Sequence, residues 1–317
     1  MSTEGGTKAV LAALGANAGI AVAKFVAWGF TGSSSMLSEG IHSVADSANQ
    51  VLLLVGGRRA RRAPDAQHQF GYGRTRYLYG FVVAIVLFLV GGLFSVYEGI
   101  HKISNPEPLT SPIWAYGVLI FAIVLESLSF RTAVREANRT RGEQSLFRFV
   151  RDARQPELPV VLLEDAGALV GLVLALGGVT MAEVTGDGRW DGLGSFAIGT
   201  LLIVIAVFLT MEMSSMLVGE SALPGQEIAI REALEAEPAI DRVIHLRTLH
   251  VGPDQLLVAA KIAVGRADTA VQVAEAIDAA EARVRAVVPT ATYVFLEPDI
   301  DRTGSEPAPH PSDAPAP

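Results

Sequence analysis

Six long apolar runs dictate what this chain can become. They lie at about 8–30, 36–57, 77–100, 112–134, 158–184 and 191–218 of the 317 residues. Each reaches the roughly 20 residues that one bilayer crossing needs. In hydrocarbon every backbone N–H and C=O must be satisfied internally, so the runs predict six transmembrane helices. Turn and breaker residues punctuate them: Gly32-Ser33 after the first, Asn105-Pro106 after the third, Pro112 and Pro159 opening the fourth and fifth, and Gly186-Asp187-Gly188 before the sixth. Composition agrees, with 50% hydrophobic and only 18% charged residues. The first run follows an acid and one Lys and continues to Phe30. It reads as a spanning helix rather than a cleaved leader.

Arg placement sets the orientation. Arg58, Arg59, Arg61, Arg62, Arg74 and Arg76 crowd the link between the second and third runs, and Arg131, Arg135, Arg139, Arg141, Arg148, Arg151 and Arg154 follow the fourth. The links of opposite parity hold only Lys102 and Arg189. The positive-inside rule then puts both Arg-rich links and both termini in the cytoplasm, in a multi-pass protein of a bacterial cytoplasmic membrane. Their ordinary role is topology and contact with lipid head groups. No basic footprint for nucleic acid is present.

Beyond Gly219 the pattern changes to that of a water-facing domain. Residues 226–236 and 268–287 have helical periodicity, whereas 242–250, 255–264 and 291–297 read as strands. The order αββαβ predicts a two-layer, ferredoxin-like α+β domain. The expected organisation is a membrane domain over 1–218, an α+β cytoplasmic domain over 219–302, and a disordered tail over 303–317 with five Pro after Thr303.

Chemistry enters where polar residues interrupt the apolar runs. In the second run Glu39, His42, Asp46 and Asn49 recur at spacings of three and four, which places them on one helix face. In the fifth, Glu164 and Asp165 adjoin each other within LPVVLLEDAGALVGLVLALGG. Ionisable groups in a membrane segment are expensive and mark function by default. At about 1.5 Å per residue, Asp46 lies ~15 Å from the outer side and Asp165 ~10 Å from the cytoplasmic side, so the two can meet near the midplane. Gly167 and Gly171 permit close helix approach. With no Cys in the chain, a metal here is held by imidazole, carboxylate, amide or water. Asn17 and Lys24 in the first run read as helix-packing residues. Glu98 and Glu126 read as interfacial, or as lining a wet vestibule, and are given no ligand role.

The motif SSSMLSEGIHSVADSANQ, the link PDAQHQFGYGRTRY, Asp165 and the α+β tail together resemble the cation diffusion facilitator family of divalent-metal/proton antiporters, over about residues 8–300. The resemblance implies a homodimeric secondary transporter that exports a divalent cation in exchange for protons. Its transport site draws two side chains from the second helix and two from the fifth. By position these are His42, Asp46 and Asp165, while the fourth place holds Val161. The local Glu-Asp pair resembles one branch of the family, which leaves Glu164, Asn49 or water as the fourth ligand. Glu164 needs a turned backbone to share a metal with Asp165, because consecutive helical residues lie about 100° apart.

Some members bind a second metal in the link after the second helix. Asp65 and His68 match that weaker site, but Tyr72 replaces its last His. At the tail-domain interface where members bind zinc, this chain has Ile244, Ala260, Phe295 and Glu297, with His245 and His250 on other registers. A dimerising domain without a strong metal site is expected.

Zinc is the first-choice cargo; manganese, iron, cobalt and cadmium also suit one imidazole with two or three oxygens. No cofactor is expected, and the partners are the metal, protons, lipid and a second copy of the chain. Two other classes fit less well. A metal-gated channel or receptor requires conductance or an output module, and an intramembrane metalloenzyme requires an open coordination position with a general base.

Overall fold

The computed structural model describes residues 3–31, 34–106, 112–265 and 269–300. Among the helical residues, the side chains of 3–5, 27, 28, 30, 31, 34–42, 45, 112 and 114 are not described. The expected tail over 303–317 lies outside the described residues. By internal contacts the chain falls into two compact units, one comprising Met1–Gly219 with Gly252–Asp254, the other Glu220–Val251 with Gln255–Pro317.

The first unit is helical. Its long elements are α1 (Thr3–Thr31), α2 (Ser34–Ala60), α3 (Thr75–Val86) continuing through a π-helical segment, Leu87–Leu93, into α4 (Phe94–Ser104), then α5 (Pro112–Thr140), α7 (Glu157–Thr185) and α8 (Arg189–Val218). A short α6 (Leu146–Asp152) precedes α7. Among the described residues, five stretches are long and apolar enough to cross a membrane: Gly6–Val26, Thr75–Ser104, Ala115–Thr140, Glu157–Thr185 and Arg189–Val218. The sixth long helix, α2, has 27 residues and carries the polar face. Exposed Val22, Ile85, Leu128, Val173 and Val204 are the side chains that a lipid-facing surface calls for, since hydrocarbon imposes no cost on them.

The element ends follow local chemistry. Pro112 opens α5, where its missing N–H costs nothing. Gly186 closes α7 at φ +69°, a conformation that a side chain would strain. Arg58 and Arg59 sit in the last turn of α2, against the negative end of its dipole. Two elements depart from the sequence expectation. The run 77–100 is not uniformly α-helical but widens into a π segment containing Gly91 and Gly92, residues that loosen helical geometry. The run 112–134 continues to Thr140, which carries Arg131 and Arg135 inside α5.

Two packing groups emerge within this unit. α1 packs on α2, α5 and α7, with α5 also on α7 and α2 also on α3, while α3 and α4 pack on α8, which also meets α7. The shared apolar core runs through Val10 and Ala13 of α1, Leu53 of α2, Ala133 of α5, Val160 and Val161 of α7, and Leu202 and Ala206 of α8. α4 and α8 touch backbone to backbone, because Gly92 and Gly99 face Gly199 and Gly192. A Cβ added at Gly99 would lie 2.5 Å from the Phe196 nitrogen, and one at Gly199 2.5 Å from the Val96 nitrogen.

The second unit has the expected order: α9 (Pro224–Glu235), β1 (Ile240–Gly252), β2 (Gln255–Val264), α10 (Ala270–Val287) and β3 (Ala291–Asp299). The strands form one sheet, β1-β2-β3, with β2 and β3 parallel. Val258 pairs with Val294, and Ala260 with Leu296. Alternate β2 residues Leu256, Val258 and Ile262 bury against Ile230 and Leu234 of α9 and Ala280 and Val284 of α10. The period-2 and period-3.6 patterns thus meet in one core. Thr269 and Gln272 cap the start of α10 reciprocally.

Candidate metal centre

Several described polar residues of α2 turn toward other helices. Ser43, Asp46, Asn49 and Gln50 share one side, and α1 and α7 supply hydrogen-bond partners for Ser43, Asn49 and Gln50. Asn49 Nδ2 donates to Glu164 Oε1 of α7 at 3.2 Å, and Gln50 Nε2 donates to Glu164 Oε2 at 2.8 Å. Gln50 Oε1 in turn accepts from Asn17 Nδ2 of α1 at 3.3 Å. One turn further along α2, Ser43 Oγ accepts from Lys24 Nζ of α1 at 2.9 Å. On the other side of α7, Asp165 Oδ2 accepts from Ser129 Oγ of α5 at 2.6 Å.

Glu164 and Asp165 are buried, 7% and 1% exposed, and α7 is α-helical throughout Glu157–Thr185. Successive residues therefore diverge, Glu164 toward α2 and Asp165 toward α5. The turned backbone that would let both grip one ion is absent. The two candidates for the fourth ligand, Glu164 and Asn49, hydrogen-bond to each other. Val161, at the place where a fourth ligand falls by position, is fully buried in the apolar core.

One further acid joins them, Glu126, which the sequence reading gives no ligand role. Glu126 of α5 is 5% exposed and lies within electrostatic range of Asp165, Asp46 and Lys24. Asp46 likewise interacts with Glu164. Among the described residues, the buried carboxylates Glu126, Glu164 and Asp165 thus share one region with the half-buried Asp46 and Lys24. The backbone of His42 lies one turn before Asp46 on α2; its side chain lies outside those described. Among the described residues no three His, Cys, Asp or Glu side chains converge at metal-holding distance.

The link after α2 is organised around Asp65. Its Oδ1 accepts from the backbone N–H of His68 at 2.7 Å and of Gln67 at 3.0 Å, and its Oδ2 accepts from the Tyr72 hydroxyl at 2.5 Å. The phenol sits on the carboxylate where the family's last His would stand. Arg62 covers the Tyr72 ring at 4.9 Å. These bonds, the Tyr72 hydroxyl foremost, hold the Asp65 carboxyl down at about 2. A depressed carboxylate favours the folded link above its ordinary range near 4, and this contribution fades as pH falls toward 2. Tyr72→Phe is expected to raise the Asp65 value toward 3.8 and to leave metal uptake at the wild-type rate. A carbon-detected NMR titration of the Asp65 carboxyl checks the first expectation, and an unmoved midpoint would refute it.

In the second unit Glu297 pairs with Lys261 at 3.3 Å, and Asp299 pairs with the same ammonium at 2.9 Å. Hydrogen bonds from Lys261 to Asp299 and then to Glu297 raise its pKa. His245 lies on the face shared with Arg247, Lys261 and Phe295, whereas His250 is buried.

Residues 10–218 match the family model of the cation efflux transmembrane domain. The chain belongs to the cation efflux family. Members of this family, also called cation diffusion facilitators, include the proton-coupled zinc antiporter SLC30A9 of Xenopus laevis, which is 37% identical to this chain over 248 residues, 77% of the chain and 44% of the relative. The human SLC30A9 antiporter is 35% identical over 244 residues, 76% of the chain and 43% of the relative. The cation-efflux pump FieF of Cronobacter sakazakii is 27% identical over 256 residues, 79% of each. The chain spans less than half the length of its SLC30A9 relatives. The match makes it a multi-pass membrane protein of the cation efflux family.

Proposed function

We propose that this chain exports a divalent cation, zinc first among the candidates, in exchange for protons. Asp46, Asp165 and His42 form the ligand set, and of the two candidates for the fourth place Asn49, held by Glu164, completes it. The observation that carries this reading is the gathering, among the described residues, of Glu126, Glu164 and Asp165, all buried and within electrostatic range of one another, with Asp46 in range of Glu126 and Glu164. Carboxylates in an apolar medium need a cation, whether a metal ion or protons, since the cost of isolated charge there is several kcal/mol per group. Metal binds only deprotonated carboxylate and neutral imidazole, so metal and protons compete for the same atoms. If such a site faces each side in turn, the outcome is exchange of one for the other. The named activities of the SLC30A9 relatives support the choice of zinc and of proton coupling.

The same reading assigns transport to residues 1–218 and dimerisation to the α+β domain over 219–302. It places both termini in the cytoplasm of a bacterial cell, and it treats Asp65 and His68 as a link-stabilising pair rather than a strong second metal site.

The test is uptake into reconstituted vesicles that hold a pH dye, with zinc, manganese, iron, cobalt and cadmium offered in turn across a set pH gradient. Entry of one metal with protons leaving is the expected result and names the cargo. Metal flux without proton counterflow would instead give a channel, and binding without flux a sensor.

A further inference from the structure

We infer that Glu126 of α5 is a cation-site residue, which makes the transport site a product of three helices, α2, α5 and α7. The inference rests on the antiporter reading above. Successive crossings alternate in direction, so α2 and α5 run the same way through the membrane while α7 runs opposite. The contacts Asn49–Glu164 and Ser129–Asp165 fix one level where these three helices meet. Asp46 and Glu126 each stand three residues before that level, on α2 and α5 respectively. Both are therefore displaced by about 4.5 Å in the same direction, toward the α4–α5 link. Asp46 and Glu126 thus stand at a second level, and Glu126 lies within electrostatic range of both Asp46 and Asp165.

Two independent observations point to a cation there. Asn49 is 1% exposed, and while its Nδ2 is spent on Glu164, its Oδ1 is buried without a hydrogen-bond partner among the described residues. An amide oxygen left in that state accepts a donor or a cation. Glu126 is 5% exposed and makes no hydrogen bond to any described residue. A glutamate that only glued helices together would have a donor on it, as Glu164 has two. Glu126 instead supplies a buried carboxylate one turn of α5 before Ser129, the residue that donates to Asp165. An additional carboxylate also makes the site harder, which favours manganese and iron over cadmium relative to a site with more nitrogen.

The experiment compares wild type, Glu126→Gln and Glu126→Asp in full-length protein reconstituted in vesicles, with zinc, manganese and cadmium as separate substrates. Thermal unfolding of each variant is followed in parallel. The expected result is a rise in the KM for zinc of about 10–100-fold in Glu126→Gln, a larger rise for manganese than for cadmium, and partial recovery in Glu126→Asp. A helix-packing role would lower the unfolding temperature and leave KM and the metal order unchanged, and that outcome overturns the inference. If Glu126→Gln does not fold, Glu126→Asp decides alone, since an unaltered KM and metal order in it also overturn the inference. Asp46→Asn run beside them separates the two failures. If it is inactive while the Glu126 variants transport normally, only the role of Glu126 falls; if it too is unaffected, the antiporter site itself falls.

Discussion

Asp165→Asn is expected to abolish metal uptake into proteoliposomes, lowering kcat/KM by at least about 100-fold, while the purified protein still elutes as a folded species. Asp165 is the most deeply buried carboxylate of the centre. Its one hydrogen-bond donor among the described residues is Ser129 Oγ. An Asn carbonyl oxygen accepts that same hydroxyl, so packing between α5 and α7 survives the substitution. What disappears is the charge, and with it the ability to hold either a metal ion or the proton that replaces it. Asp165→Ala would confuse the two, because it also strands the Ser129 hydroxyl in an apolar interior at a cost of about 1–3 kcal/mol. Asp46→Asn is expected to behave as Asp165→Asn does. Tracer uptake with a pH readout in the same vesicles measures both variants. Wild-type flux in Asp165→Asn would remove the residue from the site.

Much of this centre could be seen in the sequence, because a charge within an apolar run has few innocent explanations. Asp46, Asn49, Glu164 and Asp165 stood out for that reason, and the structure draws all four into one buried region. Glu126 was visible too but was discounted. Lying in the run 112–134 with Arg131 close by, it reads as interfacial or as lining a wet vestibule. The helix in fact spans Pro112–Thr140, which puts Glu126 at its midpoint. Arginine stems long enough to reach the boundary extend a crossing without counting as apolar residues. Gln50 was missed because it adjoins Asn49 and so falls off the three-and-four spacing. Only the approach of α1 on one side and α7 on the other gives both neighbours a partner. The α+β domain was readable in full element order, since two periodicities and one capping box are local signals. The π segment after Val86 was not readable, because nothing in Leu87–Leu93 distinguishes it from an α-helix of the same composition.

The α4–α8 contact is the other feature that local reading could not reach, and it leads to the second large effect. Gly92 and Gly99 are seven residues apart, as are Gly192 and Gly199, and the two pairs face each other across two helices separated by about a hundred positions. A new Cβ at Gly99 meets the Phe196 nitrogen at 2.5 Å and the Gly192 carbonyl oxygen at 2.8 Å. Both are backbone atoms of a helix and cannot swing aside as a flexible side chain would. The helices must separate, and the close packing that holds membrane helices together is lost along the whole contact. Gly99→Ala is expected to cost about 1–3 kcal/mol and to lower the midpoint of thermal unfolding in detergent, and Gly99→Leu to prevent recovery of folded protein. The pair bears none of the carboxylates or amides of the metal centre, which lie on α1, α2, α5 and α7. The Gly99→Ala protein that does fold should therefore transport with the wild-type KM. An unchanged unfolding midpoint in Gly99→Ala would show that the helices do not meet this closely, and a shifted KM would show that the α4–α8 pair takes part in the site rather than buttressing it.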